Sequence, residues 1–320
     1  MPLIILILTV AIWDGINLSR ASAKLFGSGN LFSLLSPGRP AAESDGRVNI
    51  LLVGYSVDDP GHPAPKLTDS ILLLSINANH TKGYMLSLPR DLYVNLPGIG
   101  QRKINEAYMS GGMRLLSRVV SRDLAVKLDY HALINYAAVR NLVNALDGID
   151  VKIDSPDKRG LYDPNINRHD GGPLNLANGW QHLDGQTALN LTRARGDHYR
   201  AYGFPQSDFD RTMHQRQVLA AINHKLSWWL VLNPLKNGRL TQALARNIKT
   251  DIKVSDVRRV FSLYNRLDDS QLKSAGLRSK NSNLLASFST PTGQSALVPV
   301  PGLNDYSQIR AFVNQLDKRY

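Results

Sequence analysis

Three apolar runs of strand length lie close together in the first third of the chain, at Arg47 to Gly54 (RVNILLVG), Asp69 to Asn77 (DSILLLSIN) and Gly83 to Arg90 (GYMLSLPR). Their apolar residues are continuous instead of alternating with polar ones, which predicts strands that are buried on both faces of a sheet. Helical segments and further short strands follow in alternation, so the chain is predicted to form an α/β sheet with helices on both faces.

The later elements are predicted from apolar spacing and from residues that stop helices. Helices are expected at Asn105 to Ala125, Ala137 to Leu146, Asp184 to Leu191, Asp208 to about Leu232, Thr250 to Leu267 and Tyr306 to Leu316. Strands are expected at Tyr130 to Ile134, Gly148 to Ile153 and Gln294 to Val300. The polar segments Ser155 to Gly179 and Gly196 to Ser207 are expected to be loops.

Residues 2–13 (PLIILILTVAIW) are almost wholly apolar. A helix of this length spans about 18 Å, short of the roughly 30 Å of a bilayer's hydrocarbon core. Basic residues follow it, at Arg20 and Lys24, and by themselves they favour a cytoplasmic location for the bulk of the chain. We expect instead that residues 1–19 are the end of a longer membrane anchor, with a buried core helix as the alternative. Residues 20–46, where Gly, Pro and Ser recur, are expected to be a linker.

The chain carries a net charge of +12 and has an isoelectric point near 9.9. Such a charge predicts an anionic partner: nucleic acid, anionic lipid or a phosphorylated polymer. The absence of cysteine excludes disulfides, thiolate nucleophiles and cysteine metal sites. The histidines lack metal-ligand spacing, and His214 is expected on an outer face of its helix. P-loop, GxGxxG and GxSxG motifs are absent.

The third apolar run leads into a stretch that predicts a functional site, Ser87 to Asn105 (SLPRDLYVNLPGIGQRKIN). A proline ends the strand and leaves Arg90 and Asp91 side by side at its end. The Pro and Gly residues at 97–100 are expected to keep the following segment irregular, before Lys103 and Asn105 lead into a helix. A guanidinium and a carboxylate at a strand end are typical of sites in open α/β sheets. An ion pair in a surface turn is the alternative.

The helix predicted from Asp208 has one face that is polar at its start and apolar beyond. At about 100° per residue, Asp208, Arg211 and Gln215 lie in one sector, and Leu219 and Ile222 follow in the same sector. A buried arginine requires an anionic partner. This face is therefore predicted to bind an anion at its start and to line an apolar slot further along. An amphipathic core helix with Asp208 as its N-cap is the alternative.

Arg193 and Arg195 end the preceding helix. Arginine binds phosphate oxygens bidentately, although arginines at a helix C-terminus also complement the helix dipole. Asp69 opens the second apolar run and is a candidate ligand of Mg²⁺, which prefers one or two carboxylates plus substrate phosphates. Asp58 and Asp59, in the loop before it, are candidates for a second ligand. The alternative for Asp69 is a turn residue at the start of a strand.

Six motifs, in order along the chain, resemble those of the LytR–CpsA–Psr family. They are Asn49 to Gly54 (NILLVG), Thr68 to Ser70 (TDS), Ser87 to Asp91 (SLPRD), Lys103 to Asn105 (KIN), Arg193 to Arg195 (RAR) and Asp208 to Gln217 (DFDRTMHQRQ). The resemblance implies a central mixed β-sheet flanked by helices, an αβα sandwich. It also implies one catalytic domain, residues 47–320, that faces outside the cell behind a single-pass anchor in the cell membrane.

The family is implied to transfer a phosphoglycosyl polymer from a polyprenyl-pyrophosphate carrier onto peptidoglycan, with Mg²⁺ as cofactor. The implied partners are the lipid-linked glycan, the peptidoglycan acceptor and the membrane, without nucleic acid. Asp69 resembles the family's metal carboxylate, and Asp58 and Asp59 remain candidates for a second ligand. Arg90, Arg193, Arg195 and Arg211 resemble the family's pyrophosphate arginines and are expected to be catalytic. Asp91 is a candidate base, with orientation of Arg90 as the alternative role. The residues expected to contact the pyrophosphate or the lipid are these arginines with Lys103, Asn105, Gln215, Leu219 and Ile222.

Two departures from the family pattern concern the metal and the pyrophosphate. Leu67 stands where the family usually has an arginine, with Lys66 beside it. Ser56 stands where the family tends to have an aspartate, with Asp58 and Asp59 just beyond. These departures leave the first metal carboxylate and one pyrophosphate contact unassigned.

Two other functions remain open from the sequence. The same site would suit hydrolysis of the pyrophosphate lipid, or binding of the carrier without transfer. A basic nucleic-acid-binding or regulatory module also fits the net charge, but helix-turn-helix, zinc-finger and RNA-binding signatures are absent.

Overall fold

The structure of the protein is a computed structural model that describes residues 46–55, 67–77, 82–166, 172–205, 208–225, 248–252, 256, 271–279 and 282–320. Numbered in chain order, its strands are β1 Arg47–Tyr55, β2 Thr68–Asn77, β3 Gly83–Leu88, β4 Tyr93–Leu96, β5 Gly100–Lys103, β6 Tyr130–Asn135, β7 Ile149–Ile153, β8 Leu161–Asp163, β9 Leu174–Leu176, β10 Gly179–Leu183, β11 Ile248–Thr250, β12 Leu272–Gly276, β13 Arg278–Ser279, β14 Ser282–Asn283, β15 Leu285–Ser289 and β16 Ser295–Pro299. Its helices are α1 Ala107–Leu124, α2 Tyr136–Ala145, α3 Gly185–Arg193, α4 Asp208–Lys225 and α5 Ser307–Arg319.

The chain divides into two compact units. The sheet unit holds the described residues of 46–134 and 249–320, and the helical unit holds those of 135–248. The predicted anchor at 1–19 lies outside the described residues, as does the linker at 20–46 except for its last residue. Of the helices within the described ranges, none is long and apolar enough to cross a membrane.

Six strands form the central sheet in the order β11-β6-β1-β2-β3-β12. Strands β1, β2 and β3 pair antiparallel, whereas β12 runs parallel to β3. The sheet is therefore mixed and is flanked by helices, as predicted. Both faces of its central strands are buried, because one cross-strand row is Leu51–Leu73–Leu86 and the next is Ile50–Leu74–Met85, all at most 4% exposed. The continuous apolar runs thus have the buried positions that their sequence predicted.

Helices α1 and α5 pack on the face of the sheet that carries Leu51, Leu73 and Leu86. Each helix buries apolar residues at three- and four-residue spacing, which puts them on one side of the helix. The residues are Leu116, Val119 and Val120 of α1 and Ile309, Val313 and Leu316 of α5. Complete burial of one such side chain contributes about 1.5–3 kcal/mol, so this layer holds the C-terminal helix in place.

A polar network also ties α5 to the sheet. The Tyr84 hydroxyl donates a hydrogen bond to Asp317 Oδ1 at 2.8 Å, and Arg47 Nε lies 3.0 Å from the same oxygen. Arg47 also donates to Ser75 Oγ at 2.8 Å. Burial, together with the Asp317 carboxylate, raises the pKa of Tyr84 far above its ordinary value. The hydroxyl therefore keeps its proton and remains the donor in this contact.

The segment after Arg90 is a hairpin, whereas the sequence predicted irregular structure. Strands β4 and β5 pair antiparallel, from Tyr93 opposite Lys103 to Leu96 opposite Gly100. The turn between them uses positive φ at Gly98 (80°) and Gly100 (98°). Glycine adopts such angles without strain. The glycines that were expected to interrupt regular structure therefore form the tight turn that joins β4 to β5.

In the helical unit, α2, α3 and α4 accompany two small antiparallel sheets, β7–β10 and β8–β9. Asn135 Oδ1 caps α2 by accepting from Ala138 N–H at 2.8 Å, and Asp184 Oδ1 caps α3 by accepting from Thr187 N–H at 2.7 Å. The segment from Ser155 to Gly179 was predicted to be a loop, yet it contains β8 and β9. These strands have only three residues each, too few for apolar periodicity to reveal.

The remaining predicted elements have mixed outcomes. Strand β16 and helix α5 are confirmed, and α4 begins at Asp208 as expected, although residues 226–247 lie outside the described part. Most of the helix predicted from Thr250 to Leu267 also lies outside it, and Thr250 itself ends strand β11. Strand β12 (LKSAG) was not predicted because it is a half-exposed edge strand with few apolar residues.

His214 of α4 is buried, with 3% of its surface exposed, so its predicted position on an outer helix face is wrong. Its ring meets the Phe204 ring edge-on, with centroids 5.6 Å apart. The histidine ring thus packs against an aromatic side chain that precedes α4. Burial lowers the pKa of His214 from 6.5 to about 4, so the imidazole is neutral at pH 7.

We expect this histidine to make stability depend on pH. The unfolded chain takes up a proton below pH 6.5 and the folded chain only near pH 4, so stability is complete above 6.5 and falls between these values. Unfolding in urea at pH 7 and pH 4.5 should show an additional loss of about 2–3 kcal/mol in the parent protein compared with His214→Leu. His224→Leu, at an exposed position of the same helix, should behave like the parent. Parallel pH curves for the parent and His214→Leu would contradict this expectation.

Candidate functional site

The first part of the candidate site lies at one end of the central sheet. Antiparallel pairing of Ile71 with Leu88 places the start of β2 beside the end of β3. Asp69 is the second residue of β2, and Arg90 comes just after β3. The Arg90 guanidinium NH1 donates to Asp69 Oδ1 at 2.6 Å, a charge-assisted hydrogen bond. Two residues distant in sequence therefore meet because of the strand register.

The second contact of this cluster joins Asp91 to β5. Lys103 Nζ lies 3.0 Å from Asp91 Oδ1, and Arg90 Nε lies 3.6 Å from Asp91 Oδ2. The hairpin β4–β5 is what returns Lys103 to the end of β3. Asp91 therefore sits between two cations and restrains both side chains.

Asn105 completes the cluster through its backbone. Its N–H donates to the Arg90 carbonyl at 3.2 Å, and its own carbonyl accepts from Thr68 Oγ1 at 3.4 Å. The residue is 6% exposed. Asn105 thus links the segment that carries Arg90 to the start of β2. All five residues that the sequence assigned to this part of the site, Asp69, Arg90, Asp91, Lys103 and Asn105, lie in one connected group.

The donor set of this cluster fits Mg²⁺ only in combination with a bound phosphate. Asp69 is largely buried, and its carboxylate is the predicted metal ligand. Among the residues that the structure describes, no group of three or more His, Asp or Glu side chains is arranged to hold a metal ion. Asp58 and Asp59 lie outside the described residues. A magnesium ion commonly takes one or two carboxylates and completes its shell with water and phosphate oxygens, which suits a single protein ligand.

The other predicted arginines lie in the helical unit, at the end of α3 and in α4. Arg193 is the last residue of the helix, and its guanidinium carbon lies 4.9 Å from the centre of the Tyr136 ring. This cation–π contact orients the arginine without neutralising its charge. Arg195 follows Ala194, whose side chain is completely buried. The two arginines therefore flank a residue that anchors the turn in the core.

Asp163 holds the backbone at Arg195. Its Oδ2 accepts from Arg195 N–H at 3.0 Å and from Gly196 N–H at 2.9 Å, and its Oδ1 accepts from Asn165 N–H at 3.0 Å. The residue is 2% exposed. Gly196 has φ +67°, and a Cβ there would lie 2.6 Å from Phe204 Cβ, so the turn requires glycine. The turn after α3 is thus fixed by a buried carboxylate.

Helix α4 packs beside α3 and carries the other predicted residues. Arg211 is 7% exposed and Ile222 is completely buried. Gln215 Nε2 donates to the Thr192 carbonyl at 3.1 Å, which ties α4 to the residue before Arg193. The side chain of Leu219 lies outside the described part of the chain. Arg211 and Ile222 of the predicted face are thus buried, and the roles of this face in binding an anion and a lipid stay predictions.

Two residues that support these arginines, Asp163 and Tyr136, were not predicted from the sequence. Asp163 precedes Pro164 at the end of β8, and an Asp-Pro pair is a known signal for a turn. That signal locates the turn but does not reveal its partners, which lie about thirty residues later in the chain. Tyr136 opens α2, and no local pattern relates it to Arg193.

We expect Asp163→Ala to release the turn that carries Arg195. The substitution leaves the N–H groups of Asn165, Arg195 and Gly196 without this acceptor, and each unsatisfied group typically costs about 1–3 kcal/mol when it stays buried. Amide exchange at Arg195 and Gly196 should become faster, and urea unfolding should report the lost stability. Asp163→Asn retains one acceptor oxygen and should show a smaller change in both measurements. Unchanged exchange at these two amides in Asp163→Ala would disprove the anchoring role.

Comparison with known proteins gives consistent results. The LytR_cpsA_psr family model matches residues 21–295. The chain is 30% identical over 234 residues to a polyisoprenyl-teichoic acid–peptidoglycan teichoic acid transferase, TagU, of Enterococcus faecalis, covering 71% of this chain and 70% of TagU. Its fold is similar to that of TagT bound to LI-WTA, with a TM-score of 0.62 and 23% identity over 88% of this chain and 93% of TagT.

A second solved structure, a LytR-CPS2A-psr family protein (TagT) with bound octaprenyl pyrophosphate lipid, matches with a TM-score of 0.59. The sequences are 22% identical, and the match covers 87% of this chain and 93% of that one. At these identities the two structures support the fold. Because the family model spans most of the sequence, the protein belongs to the LytR–CpsA–Psr family.

Proposed function

We propose that the protein transfers a phosphoglycosyl polymer from a polyprenyl-pyrophosphate carrier to a hydroxyl group of peptidoglycan. The observation that carries this proposal is the Asp69–Arg90 contact, with Lys103 and Asp91 beside it, at one end of the sheet. Membership of the family, and the teichoic acid transferase activity in the name of the TagU relative, support a transferase. A solved member of the family binds octaprenyl pyrophosphate lipid, which supports the donor.

The proposed reaction is a displacement at one phosphorus atom. The acceptor hydroxyl oxygen forms a bond to the phosphorus that carries the glycan, and the bond from that phosphorus to the bridging oxygen breaks. Polyprenyl monophosphate leaves with the electron pair, and the glycan becomes attached to the acceptor through a phosphodiester. Asp91, which is one-third exposed, is the carboxylate assigned to take the hydroxyl proton.

Phosphoryl transfer depends mainly on positioning and charge stabilisation, so the arginines have the largest roles. Arg90 is assigned to the diphosphate, with Arg193, Arg195 and Arg211 as the further cations. Mg²⁺ bound at Asp69 would neutralise charge on the diphosphate oxygens. Asp58 and Asp59 remain candidates for a second carboxylate ligand.

The membrane location belongs to the same proposal. A polyprenyl donor is confined to the bilayer, so the enzyme must work at its surface. An anchor at residues 1–19 and a catalytic domain outside the cell would place the site where peptidoglycan is found. Leu219 and Ile222, on the apolar continuation of α4, are the residues assigned to the lipid. Because Ile222 is completely buried, lipid contact there requires the side chains around it to move apart. Cross-linking with a photoreactive polyprenyl analogue tests this contact.

Arg90→Ala should reduce transfer far more than it reduces stability. The side chain leaves the end of a strand and is one-third exposed, so little apolar packing is lost. Loss of one contact to developing charge typically lowers the rate by about 10²–10³. We would measure single-turnover transfer from a polyprenyl-pyrophosphate donor, together with thermal melting, on the full chain in detergent micelles. Arg102→Ala, at an exposed position of the adjacent hairpin, is the matched control and should retain the parent rate.

The opposite result for Arg90→Ala, a large loss of melting temperature with a normal rate in the folded fraction, would make Arg90 structural. Product analysis in the same assay separates transfer from hydrolysis. Glycan attached to peptidoglycan supports the proposed reaction, whereas free glycan phosphate in the presence of acceptor would favour a hydrolase.

Asp69→Asn should weaken the dependence of turnover on Mg²⁺. The amide removes the negative charge that attracts the cation, while its oxygen still accepts a hydrogen bond from Arg90. The Mg²⁺ concentration for half-maximal activity should rise by about tenfold or more, which corresponds to about 1.4 kcal/mol. An unchanged Mg²⁺ titration would remove Asp69 from the metal site.

A further inference from the structure

Helix α1 carries a row of arginines on the side that faces away from the sheet. Arg114, Arg118 and Arg122 are four residues apart, so they lie on one side of the helix. At a rise of about 1.5 Å per residue, the row extends about 12 Å along the helix axis. Arg114 and Arg118 are exposed, and neither forms an ion pair with a residue that the structure describes. Their charges can therefore attract an external anion.

Arg310 of α5 extends this row. Its Nη2 donates to the Arg122 carbonyl at 3.0 Å and its Nε to the Asp123 carbonyl at 3.4 Å, so it lies beside the end of α1. Two carboxylates partly offset these charges. Asp123 is buried and pairs with Arg122 at 2.6 Å, and Asp305 interacts with Arg310. Four arginines therefore face two carboxylates, and the surface stays positive.

Three aliphatic side chains are exposed on two neighbouring turns of the same unit. Ile99, in the turn between β4 and β5, is 41% exposed, and Val300 and Leu303, after β16, are 47% and 44% exposed. A parallel bridge joins Leu92, just before β4, to Leu297 in β16. Strands that start side by side and run in one direction also end side by side. The two turns therefore lie at the same end of this strand pair.

These turns border the row of arginines. Arg122 Nη2 donates to the carbonyl of Asn95, in β4, at 2.9 Å. Leu303 comes shortly before α5, and Arg310 lies in the first turn of that helix. The four arginines and the three aliphatic residues together are called the docking surface below. Single exposed apolar residues are common in proteins, but a group of them rimmed by charged residues is typical of an interaction site.

The combination of positive charge and apolar side chains indicates the partner. An anionic bilayer raises the affinity by about fivefold for each arginine near its surface, and its interface accommodates aliphatic side chains. A soluble polyanion, such as nucleic acid or a polyol phosphate, would bind the arginines but leave the three aliphatic residues in water. We propose that the docking surface holds the sheet unit against an anionic lipid bilayer, an inference that rests on the proposed membrane location.

Docking of this kind would keep the Asp69–Arg90 cluster close to the membrane that holds the donor. The hairpin that carries Ile99 starts beside Asp91 and ends at Lys103, and both residues belong to that cluster. Strands of four residues span about 13 Å, so the cluster would lie about that far from the bilayer contact at Ile99. The docking surface thus adds an orientation to the anchorage proposed for residues 1–19.

The chain lacks cysteine, so a single introduced cysteine can carry a nitrobenzoxadiazole label, whose emission reports the polarity around it. Leu303→Cys would be labelled in the full chain and reconstituted into phosphatidylcholine vesicles with or without phosphatidylglycerol. The emission should shift to shorter wavelength only in the anionic vesicles, and added salt should reverse the shift. The same label at Lys249→Cys, an exposed position on the opposite edge strand β11, should not respond.

Two substitutions at exposed positions test the two components of the docking surface in the protein labelled at residue 303. Arg118→Glu reverses one charge and should lower the equilibrium constant for docking by about tenfold or more. Ile99→Ser removes one aliphatic side chain and should also reduce the shift. Lys249→Glu makes the same change of charge on β11 and is the matched control, which should keep the parent shift.

Equal emission in both kinds of vesicle, or a shift that survives both Arg118→Glu and Ile99→Ser, would overturn the docking surface. A shift caused by soluble polyglycerol phosphate and not by anionic vesicles would assign the surface to a polymer, and the proposal would be wrong. Failure of the full chain to float with either kind of vesicle would instead overturn the proposed membrane location.

Discussion

The register of β2 against β3 is the constraint on which the candidate site depends. Asp69 and Arg90 come within 2.6 Å because Ile71 pairs with Leu88. A slip of one residue would move Leu73 and its neighbours to the opposite face of the sheet, and the buried rows would no longer match. The same apolar packing that stabilises the sheet therefore fixes a carboxylate and a guanidinium at its end. The positions of Asp69 and Arg90 are therefore set by the packing of the buried strands.

The predicted cations of the two units are held by different kinds of contact. In the sheet unit, Arg90 and Lys103 contact carboxylates, which offset their mutual repulsion. In the helical unit, Arg193 lies over an aromatic ring, while the backbone at Arg195 is fixed by Asp163. In these contacts the Asp163 carboxylate accepts from the backbone N–H groups of Arg195 and Gly196, so it fixes the backbone of the turn and not the arginine side chain.

The sequence predicts the parts of this structure that depend on local pattern. Continuous apolar runs identify the central strands, and a proline after β3 locates Arg90 and Asp91. The hairpin β4–β5 was missed because the Pro and Gly residues that stop a strand also form tight turns. His214 and Asp163 were misjudged or overlooked for another reason. Their burial depends on Phe204 and on the turn after α3, and contacts of that kind leave no periodic signal in the sequence.

Charge balance gives a reason for a carboxylate beside an arginine that is assigned to a diphosphate. Asp69 alone would repel the anion, and its contact with Arg90 would weaken the arginine's attraction for phosphate. A divalent cation held by Asp69 together with the diphosphate would reverse both effects, because it would supply positive charge to the carboxylate and to the phosphate oxygens. Under the proposed function, this arrangement selects a metal-bound diphosphate over a free anion. This chain has Ser56 and Leu67 where the family usually has an aspartate and an arginine. Fewer charged groups would then bind the metal and the diphosphate, so we expect binding to depend more strongly on Asp69 and Arg90.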